Sequence, residues 1–235
     1  MADDVKAKKY DSPRRQEQAR ETRQRIIDAA RDLFVAKGYG HTTIVEVAAT
    51  AGVAVETVYA AFGNKRTLLH RVWYATFRGD EADVRLWDRP EIREVIAEPD
   101  LARRFEAQAV VLTGVFRRIT PLLLALRGAA ASEHAAAEML AEFDERRLDA
   151  AGKYARAASE TGQLAVSEAE CRDVLWATMD GSLWQRMVAE RGWRDEAFAA
   201  WLGGVWASTM VDGRLSPLAS SIGEARAASH ANRRG

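Results

Sequence analysis

The chain has 235 residues with 34 basic and 34 acidic side chains, so its formal net charge is zero. Overall positive charge therefore cannot attract nucleic acid, and any DNA binding must come from a local basic face. The single cysteine, Cys171, excludes a disulfide framework and a cysteine-based zinc site within the chain. The longest apolar runs are shorter than the ~20 residues that span a bilayer, and the N-terminus does not resemble a signal peptide. We expect a soluble, cytoplasmic protein with no membrane partner.

Helical periodicity dominates the chain and β-branched residues are sparse, so the predicted fold class is all-α. Residues 1–15 are polar and are expected to form a flexible basic arm. In the segment that follows the arm, helix-capping residues and glycines mark the ends of the predicted helices. Thr43 and Glu46 have the spacing of a capping box, and Gly52 ends a short helix. These patterns predict helices over 16–37, 43–52, 55–61 and 64–79.

Two short helices that meet at Gly52, with a longer helix on either side, are typical of a helix-turn-helix. Glycine permits the tight backbone bend between them. The second short helix, the recognition helix, can then lie in the major groove with its first side chains toward the base edges. This pattern predicts sequence-specific binding to double-stranded DNA.

The rest of the chain continues with helical patterns after a weaker stretch. Residues 88–99, which contain Pro90 and Pro99, indicate a connector. Residues 213–235 are small and polar and are expected to form a disordered tail. Between them the periodicity predicts helices over 101–119, 122–130, 132–161, 167–191 and 195–212.

The segment from Arg25 to Leu69 resembles the DNA-binding domain of TetR-type repressors. The elements that match in order and spacing are Ala29-Ala30, Leu33-Phe34, Gly38-Tyr39, Thr42-Thr43, Ala51-Gly52-Val53, Thr57-Val58-Tyr59, Phe62, Lys65 and Leu68-Leu69. The resemblance implies a homodimeric repressor that binds a palindromic operator and is released by a small-molecule effector. It implies an N-terminal three-helix helix-turn-helix DNA-binding domain over 16–66. It also implies a C-terminal helical ligand-binding and dimerisation domain over 67–212, which matches the family in layout alone.

Three residues at the start of the recognition helix are candidates to read bases. Val55 can touch a thymine methyl, Thr57 can hydrogen-bond a base edge or a phosphate, and Glu56 can accept from a cytosine amino group. A second interpretation of Glu56 is a carboxylate that only favours the helix dipole. By resemblance, Tyr59 and Lys65 hold phosphates, and Tyr59 has a second interpretation as a core residue.

Thr42 and Thr43 are candidates to contact the DNA backbone, although capping the helix is the better interpretation of Thr43. The sequence departs from the family at Ala54, Glu56 and Ala61. As a result the recognition helix contains neither Lys nor Arg, and a bidentate arginine cannot read guanine from it.

Positive charge is instead concentrated before the motif. Residues 1–25 hold eight Lys or Arg residues and five Asp or Glu residues. That excess can steer binding or reach a minor groove. A solvated tail is the second interpretation of residues 1–13.

The last predicted helix has the clearest apolar stripe, and the resemblance implies that it dimerises together with the helix before it. Gly203 and Gly204 would let another helix approach closely. Intramolecular core is the second interpretation of this stripe. The predicted dimer-interface residues are Phe198, Trp201, Leu202, Val205 and Trp206.

By resemblance, the effector pocket lies among the middle helices, where the composition indicates an apolar or aromatic effector. Gln108, Thr113 and Asp180 are candidate polar anchors, and plain core is the second interpretation of each lining residue. The candidate lining residues are Trp73, Phe77, Phe105, Gln108, Leu112, Phe116, Met139, Phe143, Trp176, Met179 and Asp180.

Two other classes of protein compete with the regulator. An enzyme is disfavoured because the four histidines are scattered singly and the sequence lacks a nucleophile elbow, a phosphate-binding glycine loop and a paired-carboxylate motif. We accordingly expect no catalytic residue, no metal and no cofactor. The alternative is a helical ligand-binding dimer that has lost DNA binding. Ala54, Glu56 and Ala61 favour this alternative. The intact family residues Thr57, Tyr59 and Lys65 oppose it.

Overall fold

The computed structural model describes residues 4–79 and 88–212, with the backbone alone for residues 4–13. All regular secondary structure in these residues is helical, which confirms the all-α class. The tail predicted for 213–235 lies outside the described residues. In chain order the helices are α1 (Asp4–Lys37), α2 (Ile44–Ala51), α3 (Val55–Phe62), α4 (Lys65–Arg78), α5 (Pro90–Ala97), α6 (Leu101–Ala129), α7 (His134–Ser159), α8 (Glu168–Thr178), α9 (Ser182–Trp184), a π-helical segment (Gln185–Glu190) and α10 (Asp195–Met210).

The chain forms two compact units. Among the described residues, the first unit contains residues 4–79 together with residues 118–141. Within it α1 contacts α2 and α4, and α3 also contacts α2 and α4. Burying each large apolar side chain stabilises the fold by about 1.5–3 kcal/mol. The side chains with less than 2% exposure on these four helices include Ile26, Ala30, Phe34, Val47, Ala48, Val58, Leu68, Leu69 and Val72.

Among the described residues, the second unit contains residues 88–117 and 142–212, and its core is built mainly from α6, α7, α8 and α10. Cys171 is buried in this core, and burial raises the pKa of its thiol to about 12. The thiol therefore stays protonated and inert. The largest side chains of the core include Leu101, Phe105, Phe116, Tyr154, Trp184, Phe198, Leu202 and Trp206.

The first helix starts earlier in the structure than the sequence predicts. The polar composition predicts a flexible arm over 1–15 and a helix from Gln16, whereas α1 begins at Asp4. Alanine, lysine, arginine and glutamine are strong helix formers, so polarity alone does not end the helix.

Two further differences between the predicted and the observed helices occur at prolines. The predicted connector contains α5, with Pro90 in its first turn and Ile92 and Val95 buried. Proline suits that turn because its missing N–H would be unpaired there and its φ is preset. α6 also continues through Pro121, where the sequence predicts a break. Its buried face remains unbroken on both sides of the proline, at Ile119 and Leu122.

The helix predicted over 167–191 is interrupted. α8 ends at Thr178, and Gly181 adopts a left-handed φ of 78°. Asp180 stabilises the turn by accepting from the Ser182 N–H at 2.9 Å and from its hydroxyl at 2.6 Å. An aspartate that bonds the backbone two residues ahead competes with a continuous helix.

One described helix, α6, is long and apolar enough to cross a membrane by length and composition. Within the protein, 56% of its most apolar window is buried, as in a core helix of a soluble protein.

Candidate nucleic-acid interface and effector region

The turn between α2 and α3 sets the direction of the recognition helix, α3. The Thr43 hydroxyl accepts from the Glu46 N–H at 3.2 Å, and the Glu46 carboxylate accepts from the Thr43 N–H at 2.9 Å. At the other end of α2, Gly52 has a left-handed φ of 65°. α3 is turned by 106° from α2, within the range of about 90–120° for a helix-turn-helix. The predicted capping box and glycine turn are confirmed.

One side of α3 is buried and the other is accessible. Val58 is 1% exposed and fixes the helix on the first unit. Glu56 is exposed, and Tyr59 is 51% exposed, so the interpretation of Tyr59 as a core residue is wrong. Val55 and Thr57 are half-buried. The base-reading candidates and Tyr59 therefore all remain accessible on α3.

Thr42 does not fit the predicted role. Its side chain is 1% exposed, and its hydroxyl donates to the Gly38 carbonyl at 2.9 Å. The Leu33 carbonyl lies 3.2 Å from the same hydroxyl. The side chain closes the end of α1 and cannot reach DNA. Thr43, the exposed N-cap of α2, is the residue of this pair that remains a candidate contact.

Lys65 lies in the first turn of α4 and is half-buried. Its ammonium group lies 4.3 Å above the ring of Tyr39, a cation–π distance, and donates to the Gly40 carbonyl at 3.4 Å. Burial lowers the pKa of Lys65, while the nearby carboxylates of Glu133 and Glu46 raise it. Lys65, the residue predicted to bind a phosphate, thus also holds the loop between α1 and α2.

Two carboxylates that the sequence analysis did not predict lie near Lys65 and Arg66, Glu133 just before α7 and Glu138 in its first turns. The Arg66 guanidinium donates to the Glu138 carboxylate at 2.6 Å, with 49% and 39% of the two side chains exposed. An alanine Cβ at Gly40 would lie 3.1 Å from the Glu133 carboxylate. The partners Arg66 and Glu138 are 72 residues apart in the chain, and no local pattern predicts such a pair.

Lys37 is also paired, with the capping residue Glu46. The hydrogen bond from Lys37, followed by those from Thr43, lowers the pKa of the Glu46 carboxyl from 4.5 to about 2. Glu46 is therefore ionised at every physiological pH. The charge of Lys37 is balanced, and it adds little to the positive field of the interface.

The segment that carries this candidate interface matches a known sequence family. Residues 26–72 match the family described as bacterial regulatory proteins, tetR family. The chain is also 47% identical over 55 residues to TtgW of Pseudomonas putida, an uncharacterised helix-turn-helix-type transcriptional regulator. That alignment covers 23% of this chain and 41% of TtgW, so the chain matches less than half of the relative's length.

The N-terminal segment of this chain is thus similar to the DNA-binding segment of the TetR family. Solved structures extend the likeness to the fold of nearly the whole chain. The structure of SmeT with triclosan has a TM-score of 0.60 at 22% identity and covers 81% of this chain and 91% of its own. NalD, the secondary repressor of the MexAB-OprM multidrug efflux pump in Pseudomonas aeruginosa, has a TM-score of 0.57 at 22% identity and covers 82% and 97%. The predicted fold, an N-terminal helix-turn-helix followed by a helical domain, is thus confirmed.

The candidate effector residues divide between the two units. Trp73, Phe77 and Met139 belong to the first unit, and the other candidates belong to the second. Phe105, Leu112, Phe116 and Met179 are part of the buried core of the second unit, and Trp176 packs against that core.

A separate cleft of about 360 Å³ lies in the first unit among α1, α4 and α6. The Arg118 guanidinium donates there to the carbonyls of Thr76 and Phe77 at 3.2 and 3.1 Å and so caps the end of α4. None of the predicted effector residues lines this cleft. Its lining residues are Gln24, Ile27, Asp28, Arg31, Ala75, Thr76, Gly79 and Arg118.

Two of the three predicted polar anchors already form hydrogen bonds to nearby residues of the chain. The Thr113 hydroxyl donates to the Ala109 carbonyl of its own helix at 2.7 Å. Asp180 holds the turn after α8 through Ser182. Gln108 differs, because it is 2% exposed and its amide lies 4.0 Å from the Met179 sulfur, a weak acceptor. Gln108 is the predicted anchor with hydrogen-bonding capacity left for a ligand.

Three of the five predicted interface residues are internal. Phe198, Leu202 and Trp206 have no exposed surface in the single chain. Trp206 packs edge-on against Phe105 with ring centroids 6.3 Å apart, and its indole N–H donates to the Thr178 hydroxyl at 2.9 Å. The assignment of these three to the dimer interface is therefore wrong, because they fill their own unit's core. Trp201 and Val205 remain half-exposed on α10.

Among residues 4–79 and 88–212, no group of three or more His, Cys, Asp or Glu side chains is placed to hold a metal ion.

Proposed function

We propose that this chain is a cytoplasmic, sequence-specific DNA-binding repressor that acts as a homodimer. One observation carries the proposal: an accessible recognition helix on a capped 106° turn, within the segment that matches the tetR family. The description of NalD as a repressor supports this function by analogy. The proposed DNA-binding domain is 16–66, and the proposed effector and dimerisation domain is 67–212.

Base reading in this proposal depends on methyl and hydroxyl contacts. Val55 and Thr57 face base edges, Tyr59 and Thr43 meet the DNA backbone, and Lys65 binds a phosphate. Glu56 accepts from a cytosine amino group, or it repels phosphates where no such base is present.

Selection of bound duplexes from a random pool tests the proposal directly. The purified full-length protein should enrich a palindrome whose half-sites are about 34–36 Å apart, one helical turn. The protein should also shift DNA from its own upstream region at low salt. If no sequence is enriched and no shift occurs, the chain is instead a ligand-binding dimer without DNA binding.

Substitution Glu138→Gln is expected to raise operator affinity a few-fold. It removes the carboxylate that holds Arg66, so one more cation per subunit faces the DNA. Exposed ion pairs contribute at most about 1 kcal/mol to stability, so the melting temperature should change little. Fluorescence anisotropy at several salt concentrations measures the effect. Arg66→Ala is the opposing control and should weaken binding. A gain in affinity from that variant would show that Arg66 does not attract DNA.

The homodimer is proposed to use the face of α10 that carries Trp201 and Val205. Trp201 also packs edge-on against Trp193, which is 38% exposed, with centroids 6.2 Å apart. Exposed aromatic groups of this kind are enriched in interfaces.

The double variant Trp201→Arg/Val205→Arg is expected to be monomeric in sedimentation experiments, because two buried charges would oppose association. Ala200 is an exposed residue of α10 beside Trp201. The dimer mass of the variant Ala200→Arg indicates whether the interface extends to this position. An unchanged dimer mass for the double variant would place the interface on another surface.

Release by a small apolar or aromatic effector completes the proposed function. Its support is the aromatic core of the second unit and the triclosan complex of the structurally similar SmeT. An effector releases DNA only to the extent that it binds the DNA-free conformation more tightly than the DNA-bound one.

A further inference from the structure

The inward face of α7 carries a charged residue. Arg147 follows the buried Phe143 by one helical turn and precedes the buried Ala151 by another. Only 18% of its side chain is exposed. One guanidinium nitrogen donates to Asp144 at 2.6 Å, while Nε is buried without a hydrogen-bond partner. A buried N–H without an acceptor costs about 1–3 kcal/mol, so this donor calls for an explanation.

A second buried donor lies next to the first. The guanidinium carbon of Arg147 is 5.5 Å from the ring centre of Trp176 on α8. The indole N–H of Trp176 is also buried and has no hydrogen-bond partner. Indole nitrogen donates and cannot accept, and the same holds for guanidinium, so neither residue can satisfy the other.

The same core holds a third donor with a poor acceptor. Trp176 packs against the apolar cluster that contains Met179, which lies three residues further along the chain. On α6, the Gln108 amide meets only the Met179 sulfur among its hydrogen bonds in the described residues, at 4.0 Å. Helices α6, α7 and α8 thus each contribute an N–H donor whose acceptor is missing or weak, beside an aromatic core.

We propose that this chain binds an aromatic effector through an anionic oxygen, a carboxylate or phenolate, held by Arg147 and Trp176. The inference deepens the proposed function, because it assigns a chemical class to the effector of the second unit. A charge-assisted hydrogen bond from guanidinium to an oxyanion is about twice as strong as a neutral one, and low dielectric strengthens it further. Asp144 is 53% exposed and engages a different nitrogen of the guanidinium, which leaves Nε for the ligand.

Calorimetry with matched probes tests the assignment. The full-length protein is titrated with 2-naphthoate and with 2-naphthamide, which share a ring system and differ in charge. Benzoate and benzamide form a smaller pair. We expect each acid to bind at least about tenfold more tightly than its amide. Equal affinities within both pairs, or binding of none of the four probes, would overturn the proposal.

Two variants locate the preference. Arg147→Met removes the charge, and Trp176→Phe keeps a ring while removing the N–H. Each should reduce the acid-over-amide ratio to less than about threefold. Arg146→Met is the matched control, since Arg146 is the adjacent residue, 62% exposed and paired with Glu142. Its ratio should equal that of the unmodified protein. If both Arg147→Met and Trp176→Phe keep the preference for acids over amides, the anion binds elsewhere. If Arg147→Met does not fold, the same conclusion follows from Trp176→Phe alone.

Operator release is measured separately, so the two proposals can fail independently. An acid preference without release from DNA would uphold the site and contradict effector control. Release by amides as readily as by acids would uphold effector control and contradict the anion site.

Discussion

Substitution Gly203→Ala is expected to lower the free energy of unfolding by about 1–3 kcal/mol, the usual cost of overpacking. A Cβ at this position of α10 would lie 2.7 Å from the Cα of Glu106 and 3.3 Å from its backbone nitrogen. Backbone atoms of α6 cannot move aside as the end of a flexible side chain can. The gain in helix propensity from alanine, up to about 1 kcal/mol, offsets only part of this cost.

Gly204→Ala is the matched control. It introduces the same change at the next residue of the same helix, where a Cβ would meet no atom within 4 Å. This variant should be as stable as the original or more stable, by up to about 1 kcal/mol. Chemical denaturation of both variants at one protein concentration measures the difference. Equal stabilities would mean that α6 and α10 do not approach as closely as described.

Substitution Lys65→Met is expected to weaken operator binding by at least about tenfold, because a phosphate loses a charged hydrogen-bond donor in each subunit. Methionine retains an apolar stem beside Tyr39, so the loop between α1 and α2 keeps most of its packing. Each phosphate contact contributes about 0.9 to the slope of log K against log salt concentration. The slope of a dimer should therefore become shallower by about 1.8.

Lys153→Met provides the control for general charge effects. Lys153 lies on α7 in the second unit and pairs with Asp149 at 2.7 Å. Its loss should leave both the affinity and the salt slope unchanged. If Lys65→Met behaves in the same way, Lys65 holds the loop and does not contact DNA.

Local sequence rules were sufficient for the helix-turn-helix. The Thr43–Glu46 capping box, the left-handed Gly52 and the Asn64 cap of α4 each depend on residues within a few positions of one another. Their interactions are short-range, so sequence spacing specifies them. The exposure of Tyr59 could not be read from spacing alone, because a helix of eight residues has too few turns to define a buried stripe.

Long-range packing accounts for what the sequence could not provide. The apolar stripe of α10 shows which residues avoid water, but the same stripe suits a partner subunit or the chain's own core. Trp206 is internal because Phe105 and Thr178 meet it there. The pairing of Arg66 with Glu138 likewise depends on the fold. A proline such as Pro121 predicts the end of a helix, yet buried residues on both sides keep α6 continuous.

If the chain is the DNA-binding repressor proposed above, the charge of its recognition helix affects how the protein searches the chromosome. Glu56 is the only acidic or basic residue on α3. On DNA of arbitrary sequence, this carboxylate lies near phosphates without a compensating base contact. The protein should therefore dissociate quickly from nonoperator sites. A genome offers about 10⁶–10⁹ such competing sites, and the occupancy of one operator depends on the ratio of the two affinities. A recognition helix that holds random DNA poorly can therefore keep its operator occupied with few protein copies, even when its absolute affinity is modest.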